Sequence, residues 1–108
     1  MRGVLLLLAG LAVAGCGGAD EPVTPVATTE VAMVKSYRFE PGTIEVAPGA
    51  EVTWRNEDNF THTVQVEDGE DHRVAPGETV SLRFGEPGTY AYVCTLHRKD
   101  MDGEIVVR

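Results

Sequence analysis

Within Cys94-Thr95-Leu96-His97-Arg98-Lys99-Asp100-Met101 a thiol, an imidazole and a thioether fall inside eight residues. A second imidazole, His62, stands upstream on a run that alternates like a strand. Two imidazoles, one thiolate and one thioether make a trigonal N₂S plane with a weak axial sulfur. That is the donor set of a mononuclear copper electron-transfer centre. Thiolate and thioether suit Cu(I) and imidazole suits Cu(II), so the set tolerates both oxidation states. Zinc also accepts Cys and His, and the residues alone do not separate the two metals.

Donors so far apart in sequence need a scaffold to bring them together, and the body of the chain reads as strands. After residue 30 no helical stripe of useful length occurs. Short alternating runs recur instead between turn signals. They cover residues 31–39, 43–46, 51–55, 61–66, 79–84, 89–94 and 105–107. Val52 and Trp54 share one face, as do His62, Val64 and Val66, and again Val80, Leu82 and Phe84. Pro41-Gly42, Pro48-Gly49, Pro76-Gly77 and Pro87-Gly88 punctuate them, Pro fixing φ and Gly permitting positive φ. About seven short strands in a domain of this size imply an all-β, two-sheet sandwich. The acidic stretch 67–73, which holds His72, reads as a solvated loop; its carboxylates could also attract a hard cation.

The N-terminus reads as a targeting signal. Arg2 is followed by a nearly unbroken apolar run over residues 4–13, too short to span a bilayer, which takes roughly 20 residues. The run ends in Val13-Ala14-Gly15-Cys16, which resembles the lipobox of bacterial lipoproteins. That resemblance implies cleavage before Cys16, lipid on Cys16, and a chain held at the outer face of the bacterial cell membrane. Residues 17–30 are Gly, Ala, Pro, Thr and acid, and read as a flexible tether with an r.m.s. span of roughly 20 Å. The division expected is therefore a signal peptide over 1–15, lipidated Cys16 and tether over 16–30, and one folded domain over 31–108.

Cys16 and Cys94 are the two cysteines. In an exported protein they would ordinarily pair. Lipid on Cys16 would instead leave Cys94 a single thiol in an oxidising compartment, a liability unless buried or metal-bound. Loss of Arg2 with the signal leaves eight basic against 17 acidic residues. That balance argues against nucleic acid, which needs a basic surface, and fits a soluble domain that selects a basic partner.

Taken together, Val52-Thr53-Trp54-Arg55-Asn56, His62-Thr63-Val64, residues 88–97 and the closing Met101-Asp102-Gly103-Glu104-Ile105-Val106-Val107 resemble the cupredoxins. These are the small blue copper proteins of the plastocyanin, amicyanin and pseudoazurin kind. The resemblance covers nearly all of residues 33–108. It implies a cupredoxin-like Greek-key β-sandwich, one mononuclear type 1 copper, and ligation by His62, Cys94, His97 and Met101. One departure concerns the loop: three residues separate His97 from Met101, where the family places two or four. The resemblance also implies a bond between the residues that follow the first His and the Cys, here Thr63 and Thr95, with the Asn56 loop bracing the same region.

In the resemblance His97 is the electron port, and Arg98 and Lys99 beside it form a basic spot for docking a protein redox partner. The function implied is Cu(II)/Cu(I) electron transfer by a monomer that is not an enzyme. The alternative is a copper carrier or chaperone that delivers copper to an exported oxidase. A purely structural sandwich would leave Cys94 without a ligand.

Overall fold

The computed structural model describes residues 23–108. The expected signal segment, Cys16 and the first part of the tether lie outside the described residues. Ten strands run in chain order: β1 Val26–Ala27, β2 Glu30–Val34, β3 Arg38–Glu40, β4 Thr43–Val46, β5 Ala50–Asn56, β6 His62–Val66, β7 Asp71–Val74, β8 Thr79–Phe84, β9 Gly88–Val93 and β10 Asp102–Val107. Six form one sheet in the order β1-β4-β10-β9-β6-β7, and four form the other in the order β3-β2-β5-β8.

Period-two alternation supplies the core between the sheets. β2 turns Val31 and Met33 inward, β4 Ile44 and Val46, β5 Val52 and Trp54, and β10 Ile105 and Val107. Each fully buried aliphatic side chain contributes roughly 1.5–3 kcal/mol relative to exposure. At the centre Tyr92 meets Trp54 edge-on with ring centroids 5.2 Å apart, and Phe39 edge-on at 4.7 Å. Burial pushes the Tyr92 phenol well above its ordinary pKa. Its hydroxyl and the Trp54 indole nitrogen approach one another without meeting hydrogen-bond geometry. Gly103 makes room for this ring: a Cβ there would lie 2.5 Å from the Tyr92 hydroxyl and 2.8 Å from the Gly42 carbonyl oxygen.

Three local features depart from the sequence reading. Residues 31–39 are not one run but the hairpin β2–β3, closed by Lys35-Ser36-Tyr37 with Val34 opposite Arg38. Ser36 and Tyr37 take positive φ, 74° and 57°, without a glycine to announce the turn. The acidic stretch is not all loop. Its second half is β7, an edge strand that pairs Val64 with His72 and buries Val74. Strand pairing also reaches back into the expected tether, where Val26 and Ala27 align in parallel with Ile44 and Glu45.

The register gathers the candidate donors at one end of the six-stranded sheet. Asp102 pairs with Val93, so Met101 and Cys94 are the next residues along β10 and β9, facing each other. Gln65 also pairs with Val93, so the start of β6 runs past Cys94 at that same end.

Candidate metal centre

His62 opens β6 with its ring fully buried. Its Nε2 lies 2.9 Å from Asp58 Oδ2. The bond with His62 is the main reason the Asp58 carboxyl sits below its usual pKa, and the Asn59 amide adds to it against the cost of burial. An ionised carboxylate only accepts, so the Nε2 proton belongs to the imidazole, and in the neutral ring Nδ1 is then the acceptor. The loop that delivers Asp58 is itself tied down. The Asn59 amide donates to Asp58 Oδ1 at 2.7 Å and the Asp58 amide to Asn56 Oδ1 at 2.8 Å. Asn56 Nδ2 donates to the Phe60 and Val74 carbonyls at 2.8 and 2.9 Å.

The free Nδ1 faces Cys94 Sγ at 3.8 Å. Two donors sharing one ion, with bonds of about 2.3 Å to sulfur and about 2.0 Å to nitrogen at a trigonal angle, stand about 3.7 Å apart. The observed separation therefore fits a cation between them. Cys94 is buried and, among the described residues, carries no disulfide. The Thr63 amide points at its sulfur from 3.4 Å.

A single 3-10 turn, Thr95–His97, follows Cys94. The His97 amide donates to the Cys94 carbonyl at 3.0 Å. The Asp100 and Met101 amides then both donate to the His97 carbonyl, at 3.1 and 3.0 Å, and the Cys94 amide donates to the Met101 carbonyl at 2.9 Å. The three-residue gap before Met101 is thus absorbed in a closed turn, and the Met101 side chain is fully buried. The His97 ring is half-buried, with its centroid 5.7 Å from that of His62. Tyr37 lies over it, centroids 4.1 Å apart and planes tilted 33°, and also meets His62 edge-on at 6.1 Å.

Among the described residues no group of three or more His, Cys, Asp and Glu side chains is gathered closely enough to hold an ion unaided. His62 and Cys94 approach through Nδ1 and Sγ at 3.8 Å, the His97 ring lies near that of His62, and Met101 adjoins Cys94 through the backbone bond between them. Thr63 and Thr95 join through their hydroxyls at 2.8 Å, and the Thr95 amide donates to Thr63 Oγ1 at 2.6 Å. Arg98 and Lys99 are exposed, Arg98 Nη2 reaching Gln65 Oε1 at 3.4 Å. Cys16 lies outside the described residues.

Sequence reasoning missed Asp58, Asp71 and Tyr37. Asp58 had a signal, a carboxylate four residues before a candidate ligand His, since ligating imidazoles commonly donate their second N–H to a carboxylate. Asp71, bonded to Thr95 at 2.9 Å, depends on the β6–β7 pairing, and Tyr37 on a left-handed turn.

Removing the carboxylate beside a ligand imidazole commonly costs about 10–100-fold in metal affinity. Asp58→Ala should lose affinity on that scale in competition with a chelator of known strength, while Glu57→Ala, an exposed neighbour, stays at the native value. An unchanged constant for Asp58→Ala would mean that the carboxylate does not orient His62.

The cupredoxin-like domain family matches residues 4–107. An amicyanin-alpha of Methylorubrum extorquens is 34% identical over 99 residues, spanning 83% of this chain and 82% of its own length. A plastocyanin of Scenedesmus fuscus is 33% identical over 84 residues, spanning 65% of this chain and 86% of its own. Among solved structures, the Cu(I) form of an amicyanin variant superposes with a TM-score of 0.68 at 29% identity, covering 83% of this chain and 88% of that one. A purple cupredoxin of Nitrosopumilus maritimus shares the fold with a TM-score of 0.67 at 22% identity, covering 75% of this chain and all of the other. With its two-sheet sandwich and its sulfur and imidazole donors at one end, this chain belongs to the cupredoxin-like family.

Proposed function

We propose that this cupredoxin binds one copper ion at His62, Cys94, His97 and Met101 and carries single electrons between protein partners. The observation that carries this reading is the 3.8 Å approach of His62 Nδ1 to Cys94 Sγ, with the His62 proton held on the other nitrogen by Asp58. The kinship with amicyanin and plastocyanin supports it, as does the soft sulfur pair, which favours copper over harder ions. Bound copper would supply a one-electron couple. The chain's own residues do the rest. Asp58 fixes the His62 ring, the Thr63 amide supports the sulfur, and the Cys94–Met101 backbone bonds hold the loop. Donors so restrained move little when the oxidation state changes.

His97 is the proposed point of electron entry, with Tyr37 against its ring and exposed Leu96 beside it. Arg98 and Lys99 give this end a basic spot on a chain of net charge −8, suited to a weak, salt-sensitive encounter with a redox protein. Lipid on Cys16 would hold the domain at the outer face of the bacterial membrane, a placement that rests on Val13-Ala14-Gly15-Cys16. A Cys16→Ala chain that remains in the membrane fraction would remove this part of the reading.

The test is repeated reduction by ascorbate and reoxidation by ferricyanide in the presence of a Cu(I) chelator. An electron carrier keeps its copper through many cycles. Loss of the ion to the chelator on first reduction would move the function to copper delivery. In the same experiment, Arg98→Glu with Lys99→Glu should slow oxidation by anionic ferricyanide roughly tenfold at low salt, with the difference closing at high salt. Equal rates at low salt would take Arg98 and Lys99 out of docking.

A further inference from the structure

Behind the sulfur runs a chain of three side chains ending at the surface. Thr63 Oγ1 lies 3.7 Å from Cys94 Sγ and 2.8 Å from Thr95 Oγ1, and Thr95 Oγ1 lies 2.9 Å from Asp71 Oδ2. β7 presents Asp71, β6 presents Thr63, and the 3-10 turn after Cys94 presents Thr95. Resting on the copper reading above, we propose that Asp71 sets the direction of this hydroxyl chain and so withholds the Thr63 proton from the Cys94 sulfur. Asp71 is in this sense a positioning residue that keeps the reduction potential of the centre low.

Two hydroxyl protons serve this chain of contacts. A carboxylate has no proton to give, so Thr95 must donate to Asp71. Thr95 has one hydroxyl proton, and that bond uses it. The 2.8 Å contact between the two hydroxyls must then be made by the Thr63 proton. The Thr95 amide at 2.6 Å occupies a lone pair of the same Thr63 oxygen and leaves this direction unchanged. Thr63 therefore has no proton left for sulfur, and the amide at 3.4 Å is the donor that Sγ retains from this residue.

That count matters because hydrogen bonding at the cysteine sulfur tunes the potential of such centres. Sulfur carries more negative charge when the metal is reduced, so each added donor favours the reduced form. Without Asp71 or without the Thr95 hydroxyl, the Thr63 proton is free to turn to Sγ, already within reach. The threonine pair is then more than a brace between two loops: the surface acid decides which way its protons point.

Thr95→Val separates this proposal from a purely structural tie, because it changes no charge. In the copper-loaded protein, potentiometric titration of Thr95→Val should show a rise equivalent to roughly a tenfold shift toward the reduced form, about 59 mV for one electron. The sulfur-to-copper absorption should move to higher energy. Asp71→Ala should shift both in the same direction. In a Thr63→Val background the Thr95→Val shift should vanish, and Asp71→Ala should keep only the part due to its lost charge. A native potential and band in Thr95→Val would overturn the proposal, as would an Asp71→Ala shift of undiminished size when Thr63 is Val. Failure of the copper reading is told apart at once, since the native protein would then show no such band.

Discussion

Everything at the functional end depends on one arrangement: a buried sulfur and a buried imidazole lone pair facing each other at 3.8 Å. A shared metal ion would satisfy both groups, and without one the Cys94 thiol can donate its proton to Nδ1. Asp58 engages Nε2 on the far side of the ring and so presents Nδ1 to the sulfur. The Asn56–Phe60 loop, the Thr63 amide and the turn from Cys94 to Met101 all serve to hold these atoms where they are.

The sandwich supplies the rigidity. Its six-stranded sheet carries His62 at the start of β6, Cys94 just past β9 and Met101 just before β10, so two antiparallel pairings locate three candidate donors. Beneath them, Trp54, Tyr92 and Phe39 form an aromatic block that Gly103 allows to close. A packed interior of this kind resists small displacements. For a carrier of electrons that is a functional property, because donors that stay put in both oxidation states keep the barrier to transfer low.

The sequence was legible where its signals are local. Sulfur and imidazole side chains are few here, and Cys94, His97 and Met101 stand out by spacing alone. The strands that end in Pro-Gly turns could be read from period-two alternation. Legibility failed where structure comes from pairing across the chain. β7 hides inside an acidic stretch because an edge strand needs only Val74 buried. The β2–β3 hairpin hides because Lys35-Ser36-Tyr37 turns the chain through positive φ without Gly. That same turn brings Tyr37 over His97, and β7 brings Asp71 to Thr95, so both missed contacts descend from missed elements. The candidate donors could be named from residue types; the places of Asp71 and Tyr37 beside them could be found only from the fold.

The most direct measurement is an optical titration of the purified protein with Cu(II), alongside its Cys94→Ser variant. The account predicts an intense visible sulfur-to-copper band that saturates at one ion per chain, bleaches on reduction, returns on oxidation and is absent from the variant. Copper uptake without that band, or a band that survives loss of the Cys94 sulfur, would contradict it.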